Sequence, residues 1–201
     1  MNLMSPATLG QLVVSTLRAP RPTFRVLLEM GLPRDVLWQA LTLVAVLSLI
    51  LSVAVNAVFV VQVTGSEQVP PEEIITLSPL MVGLIQFAVL VVSVFLIDWV
   101  GKKFKGTGSF NGAILAVTWL QVMMVGVQLV QMLLLLALPV LGSALTLLGM
   151  VLFFWLLTNF IAELHGFTSL GRVFGMILFV MVGVALGLSF LLTLVGITVP
   201  R

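Results

Sequence analysis

The sequence predicts an all-α, polytopic membrane protein: a bundle of five transmembrane helices preceded by a short amphipathic N-terminal segment. Three observations carry that expectation. Of 201 residues, 61% are apolar and 8% charged, against roughly half apolar and a quarter charged in soluble domains. Five continuous apolar runs each reach the ~20 helical residues that cross a bilayer core. No stretch alternates apolar and polar residues with a period of two, which disfavours a transmembrane barrel. Such a chain has no room for a separate soluble core, and its composition excludes most enzymes and any nucleic-acid face. The absence of cysteine removes disulfides, thiolate metal sites and cysteine nucleophiles.

In chain order, the spans fall at about 36–63, 74–98, 110–138, 141–163 and 171–199. Between them lie a Pro- and Glu-containing loop (Gly65 to Glu73), a loop of three glycines and three lysines (Gly101 to Gly108), a tight turn at Pro139, Gly142 and Ser143, and a last loop from His165 to Arg172. Ser109 reads as the N-cap of the third span. The short connections make the helices antiparallel neighbours. The division is therefore a segment over 1–35 and a five-helix domain over 36–201. Within the first segment, Leu9, Leu12, Val13, Thr16 and Leu17 recur at helical spacing. After Pro20 and Pro22, Phe24 to Met30 forms a second short helix, with Gly31 as its stop. Arg18, Arg21 and Arg25 then suit anionic head groups of an interfacial helix pair, or belong to a loose tail whose arginines only fix topology.

Orientation follows from the basic residues beside the spans, because cytoplasmic loops are rich in Lys and Arg. Arg18, Arg21, Arg25, Arg34, Lys102, Lys103, Lys105 and Arg172 share one side. The other has only Arg201, with the acidic Glu67, Glu72 and Glu73. The N-terminus is expected in the cytoplasm and the C-terminus outside. The first seventeen residues hold no Lys or Arg, unlike a cleavable signal, so the first span is expected to remain in the mature protein.

Polar residues inside spans are few, and each is a candidate site because burying it is costly. Gln86 lies in the second span, and Gln121 and Gln128 lie one heptad apart in the third, with Gln131 one turn further. They form a seam that either hydrogen-bonds helices together or lines a path for a small solute. Asp98, Lys102, Glu163, His165 and Arg172 gather at the cytoplasmic edge. The cluster reads as a helix-locking network. As an enzyme site it would rest on Glu163 and His165, whose i+2 spacing puts them on different faces and does not match the i+4 pair of zinc proteases. Gly171, Gly175, Gly183 and Gly187 form an i, i+4 ridge in the fifth span, suited to a close helix contact either within the chain or between proteins. No cofactor is implied: the single histidine sits at a helix end. Gly101, Gly106 and Gly108 lack the Lys-Ser/Thr order of a phosphate loop.

Several of these residues together resemble a known family. The stretch Gly101 to Gly112 (GKKFKGTGSFNG), and Trp155 with Glu163, Leu164, His165, Gly166, Phe167 and Ser169 before a final span, are similar to the Yip-domain (Ypt/Rab-interacting protein) family in its bacterial form. Thr16 to Arg21 and Gly31 to Arg34 look like alphaproteobacterial members. The resemblance implies five membrane helices with a cytoplasmic N-terminus. Eukaryotic relatives act in Golgi trafficking through partner proteins and small GTPases, a step with no bacterial equivalent. What carries over is a small helical membrane protein that works by contacting other membrane proteins. With no charged residue at mid-span, the glycine ridge and the amphipathic N-terminus, the expectation is a non-enzymatic inner-membrane protein that serves as scaffold, accessory subunit or assembly factor, with other integral membrane proteins and membrane lipids as partners and no nucleic acid. The alternative is a small-solute transporter or channel lined by Gln86, Gln121 and Gln128.

Overall fold

A computed structural model describes residues 6–64 and 78–194. Seven helices follow one another: α1 (Pro6–Arg18), α2 (Pro20–Glu29), α3 (Arg34–Thr64), α4 (Pro79–Lys103), α5 (Phe110–Ala137), α6 (Pro139–His165) and α7 (Leu170–Leu194). No strand occurs among the described residues. Helices α3 to α7 each contain a stretch long and apolar enough to cross a membrane. Their outward faces are apolar, with Leu80, Val140 and Phe179 at least three-quarters exposed, which is the surface a bilayer covers. Glu67, Glu72, Glu73, Arg201, the expected opening of the second span at 74 and the expected end of the fifth at 199 lie outside the described residues.

Local chemistry sets the helix ends. The Ser109 hydroxyl accepts the Gly112 amide N–H at 3.1 Å and caps α5, as the sequence indicates. Gly31 follows α2 with φ +58°, where a side chain would be strained. The expected turn at Pro139, Gly142 and Ser143 is shorter than anticipated: Leu138 alone separates α5 from α6. Proline fits the first helical position because its missing N–H has no partner there, so the helix begins at Pro139 and takes in the other two residues. Gly142 is needed for the close return, since a Cβ there would stand 2.8 Å from the Leu135 backbone nitrogen.

The packed centre is α5, against which α3 and α6 make the most extensive interfaces. Helix α6 also meets α2, α4 and α7. The N-terminal segment, expected as an interfacial pair distinct from the domain beginning at 36, is part of this core. Phe24 is fully buried and stacks on Phe160 at 4.7 Å between ring centroids, and Leu27 belongs to the same buried cluster as Ile114 and Leu156. The reason is the face they share: Thr23, Phe24 and Leu27 lie on one side of α2, and that side meets α6.

Helix α1 is tied in by one polar contact. The Trp119 indole N–H donates to the Thr16 hydroxyl at 3.0 Å, and that hydroxyl donates to the Leu12 carbonyl at 2.7 Å. Thr16→Val is expected to cost about 1–3 kcal/mol, because the buried indole N–H loses its acceptor. The thermal midpoint in detergent reads this loss, and adding Trp119→Phe should recover part of it.

Candidate functional site

Three arrangements at the charged end of the bundle, and one seam in its middle, account for most of the polar residues singled out above. The first centres on His165, the last residue of α6. Gly166, at φ +70°, ends that helix in the left-handed conformation. His165 is only 2% exposed. Its Nδ1 accepts the Gly108 backbone N–H at 3.2 Å, and its Nε2 lies 3.1 Å from the Ile97 carbonyl. With Nδ1 accepting, the hydrogen belongs on Nε2, which donates to Ile97, so these partners assign the neutral Nε2–H tautomer.

Glycines surround the ring. A Cβ at Gly106 or Gly108 would come within 2.6 Å of His165 atoms, and one at Gly101 would overlap the imidazole. Phe167 stacks on the ring at 5.6 Å between centroids. The loop glycines that fail as a phosphate loop are thus a socket shaped for one imidazole, clamping the α4–α5 connection onto the end of α6. Thr107 N–H donates to the His165 carbonyl at 3.3 Å and reinforces the clamp.

Glu163, two residues earlier, faces the other way. Its side chain is 7% exposed and receives two guanidinium groups from α2: Arg21 Nε at 3.1 Å on Oε2 and Arg25 Nε at 2.6 Å on Oε1. Arg21 Nη2 also donates to the Phe167 carbonyl at 3.2 Å. The Glu163 carboxylate, first by hydrogen bonding and then by charge, raises the Arg25 pKa above its ordinary value. Two of the three arginines expected at lipid head groups therefore have a protein carboxylate as partner. Arg21 and Arg25, at i and i+4, share the carboxylate because an anion withdrawn from solvent needs cationic partners more than exposed guanidinium groups need lipid. Arg18 is exposed and has no ion-pair partner among the described residues.

The expected edge cluster therefore shares one end of the bundle but divides into separate parts. Asp98 pairs with Lys102 one turn away, 2.7 Å from the ammonium. Glu163 holds α2, and His165 fills the glycine socket. Arg172 is exposed without an ion-pair partner among the described residues.

In the middle of the bundle the amides meet through a residue that sequence reasoning passed over. Ser48 of α3, 1% exposed, donates to Gln128 Oε1 at 3.1 Å and accepts from Gln86 Nε2 at 3.2 Å. One hydroxyl thereby joins three helices. A serine near the centre of a long, mostly apolar span was the available signal. Gln121, with Gln131 and Thr146, lines the same cleft of about 400 Å³. Gln131 donates to the Thr146 hydroxyl at 2.9 Å, joining α5 to α6.

The glycine ridge of α7 is open among the described residues. At Gly171, Gly175, Gly183 and Gly187 no described residue outside the local helix lies within 4 Å of the position a Cβ would occupy. All four are exposed.

No curated protein and no solved structure matches the chain. The Yip1 domain matches residues 14–191, a stretch that runs from within α1 to within α7. It takes in the arginine clamp, the histidine socket and the amide seam, so this membrane protein belongs to the Yip1 domain family.

Proposed function

We propose that the protein is a non-catalytic scaffold, accessory subunit or assembly factor of a larger membrane-protein complex, held in a bacterial inner membrane with its N-terminus in the cytoplasm and its C-terminus in the periplasm. The observation that carries the reading is the open glycine ridge of α7. A helix whose small residues leave room for another backbone, with no other described helix of the chain in that room, is suited to a partner helix. The ionisable residues support it, because Glu163 and His165 hold neighbouring elements together and Asp98 is paired with Lys102 on its own helix.

Photo-crosslinking probes at Gly175 and Gly183, used in native membranes, test the reading. Adducts to one recurring integral membrane protein are expected, lost in Gly183→Leu and absent from a probe at Val173, which is buried. A protein that gives no adducts and migrates alone after gentle extraction would remove the proposal's support. A second reading, a solute path, is favoured by one observation: Gln121 faces the amide cleft with no hydrogen-bond partner among the described residues. Solute flux in reconstituted vesicles, lost in Gln121→Leu, would establish that reading in its place.

A further inference from the structure

A second feature of α7 lies about a third of a turn round the helix from the glycine ridge. Helices α4, α6 and α7 enclose an apolar groove of about 240 Å³. One wall runs from Ser93 to Gly101 on α4, the other from Val173 to Met181 on α7, and Leu157 and Ile161 of α6 form the floor. Each wall covers eight helical steps, a depth of about 12 Å. The hydrocarbon of one leaflet is roughly 15 Å deep, so the groove begins at the charged end and covers most of a leaflet.

The groove has a cationic mouth, and its length suits a single extended hydrocarbon chain. Arg172 stands at the mouth on the same stripe as Met176 and Val180, at i, i+4 and i+8, and both of those residues line the groove. Across the opening, Gly101 is followed by Lys102 and Lys103. Asp98 is already paired with Lys102, and Arg172 has no carboxylate partner among the described residues. An exposed cation above an apolar groove is complementary to a molecule with an anionic head and an apolar tail.

We propose that this groove holds one acyl chain of an anionic phospholipid, with the lipid phosphate against the Arg172 guanidinium. The bidentate fork of arginine suits a phosphate diester better than an ammonium does. The site is distinct from the glycine ridge, so a protein partner and the lipid occupy α7 on different faces.

The experiment is native mass spectrometry of the full chain released from bilayers of equal parts phosphatidylglycerol and phosphatidylcholine with identical acyl chains. Wild type is expected to retain phosphatidylglycerol at least tenfold over phosphatidylcholine. Arg172→Gln should cut that preference to threefold or less with an unchanged thermal midpoint, while Arg172→Lys keeps part of it. Ile177→Trp, which fills the slot, should lose both lipids. Equal retention of the two lipids by wild type overturns the proposal, as does a preference that survives Arg172→Gln. A protein crosslinked at Met181 in native membranes, in place of lipid, would overturn it in favour of a partner helix. The Arg172 variants are at an exposed position, so the result stands even if Ile177→Trp does not fold.

Discussion

Gly101→Ala is expected to destabilise the protein by about 2–3 kcal/mol, although it adds one methyl group near a helix end, because overpacking a filled site forces neighbours off their preferred positions. The added carbon would overlap the His165 ring. The ring has no free direction in which to retreat, with Gly106, Gly108 and Phe167 on its other sides. His165→Ala is expected to cost a similar amount by leaving a void and stranding the Gly108 N–H. The informative measurement is the pair: in the double variant the methyl occupies space the imidazole has left. The cost of the double variant should then fall short of the sum of the two single costs by about 1–2 kcal/mol. Thermal unfolding of the four proteins in one detergent gives the coupling, and strict additivity would show that the ring and the glycine do not share a site.

Removing the Glu163 carboxylate is expected to have the other large effect, and a more local one. Glu163→Ala leaves Arg21 and the largely exposed Arg25 without their shared counter-charge. The loss falls on the docking of α2, not on the five long helices. Backbone amides of α1 and α2 should therefore exchange with deuterium at least tenfold faster while those at the centre of α5 keep their protection. Glu163→Gln should restore part of the protection, since the amide oxygen still accepts one hydrogen bond. Uniform protection across the chain in Glu163→Ala would mean that apolar packing through Phe24 holds α2 without the clamp.

Most of the fold was legible because bilayer thickness dictates run length, and because local signals mark helix ends where the partner is three residues away. Ser109 and Gly31 are examples. What was hidden depends on partners far apart in sequence. Glu163 could be placed at a helix end from its position after an apolar run, yet nothing local indicated that Arg21, 142 residues earlier, would reach it. The amphipathic face of α2 was visible, but periodicity does not distinguish a face that lies on lipid from one that lies on protein. The two stretches that carry the family resemblance, Gly101 to Gly112 and Glu163 to Ser169, turn out to be the two sides of the histidine socket. Each was read alone as loop punctuation. The seam was half visible: Gln86 and Gln128 were expected to face each other, and Ser48 between them was not.

The clamp on Glu163 also orders events in time. Arg21 and Arg25 emerge early in synthesis, and the carboxylate that receives them is made only when α6 is nearly complete. Until then α2 has, among the long helices, only its smaller contact with α5, and its two cations lack the carboxylate that pairs them. Closing the N-terminal helices over α6 is therefore a late folding event, separated by the entropy of a long loop from the pairing of neighbouring helices. A chain stalled before α6 would carry both arginines unpaired, whereas a finished one has them paired with Glu163, so the state of α2 distinguishes an unfinished copy of this protein from a complete one.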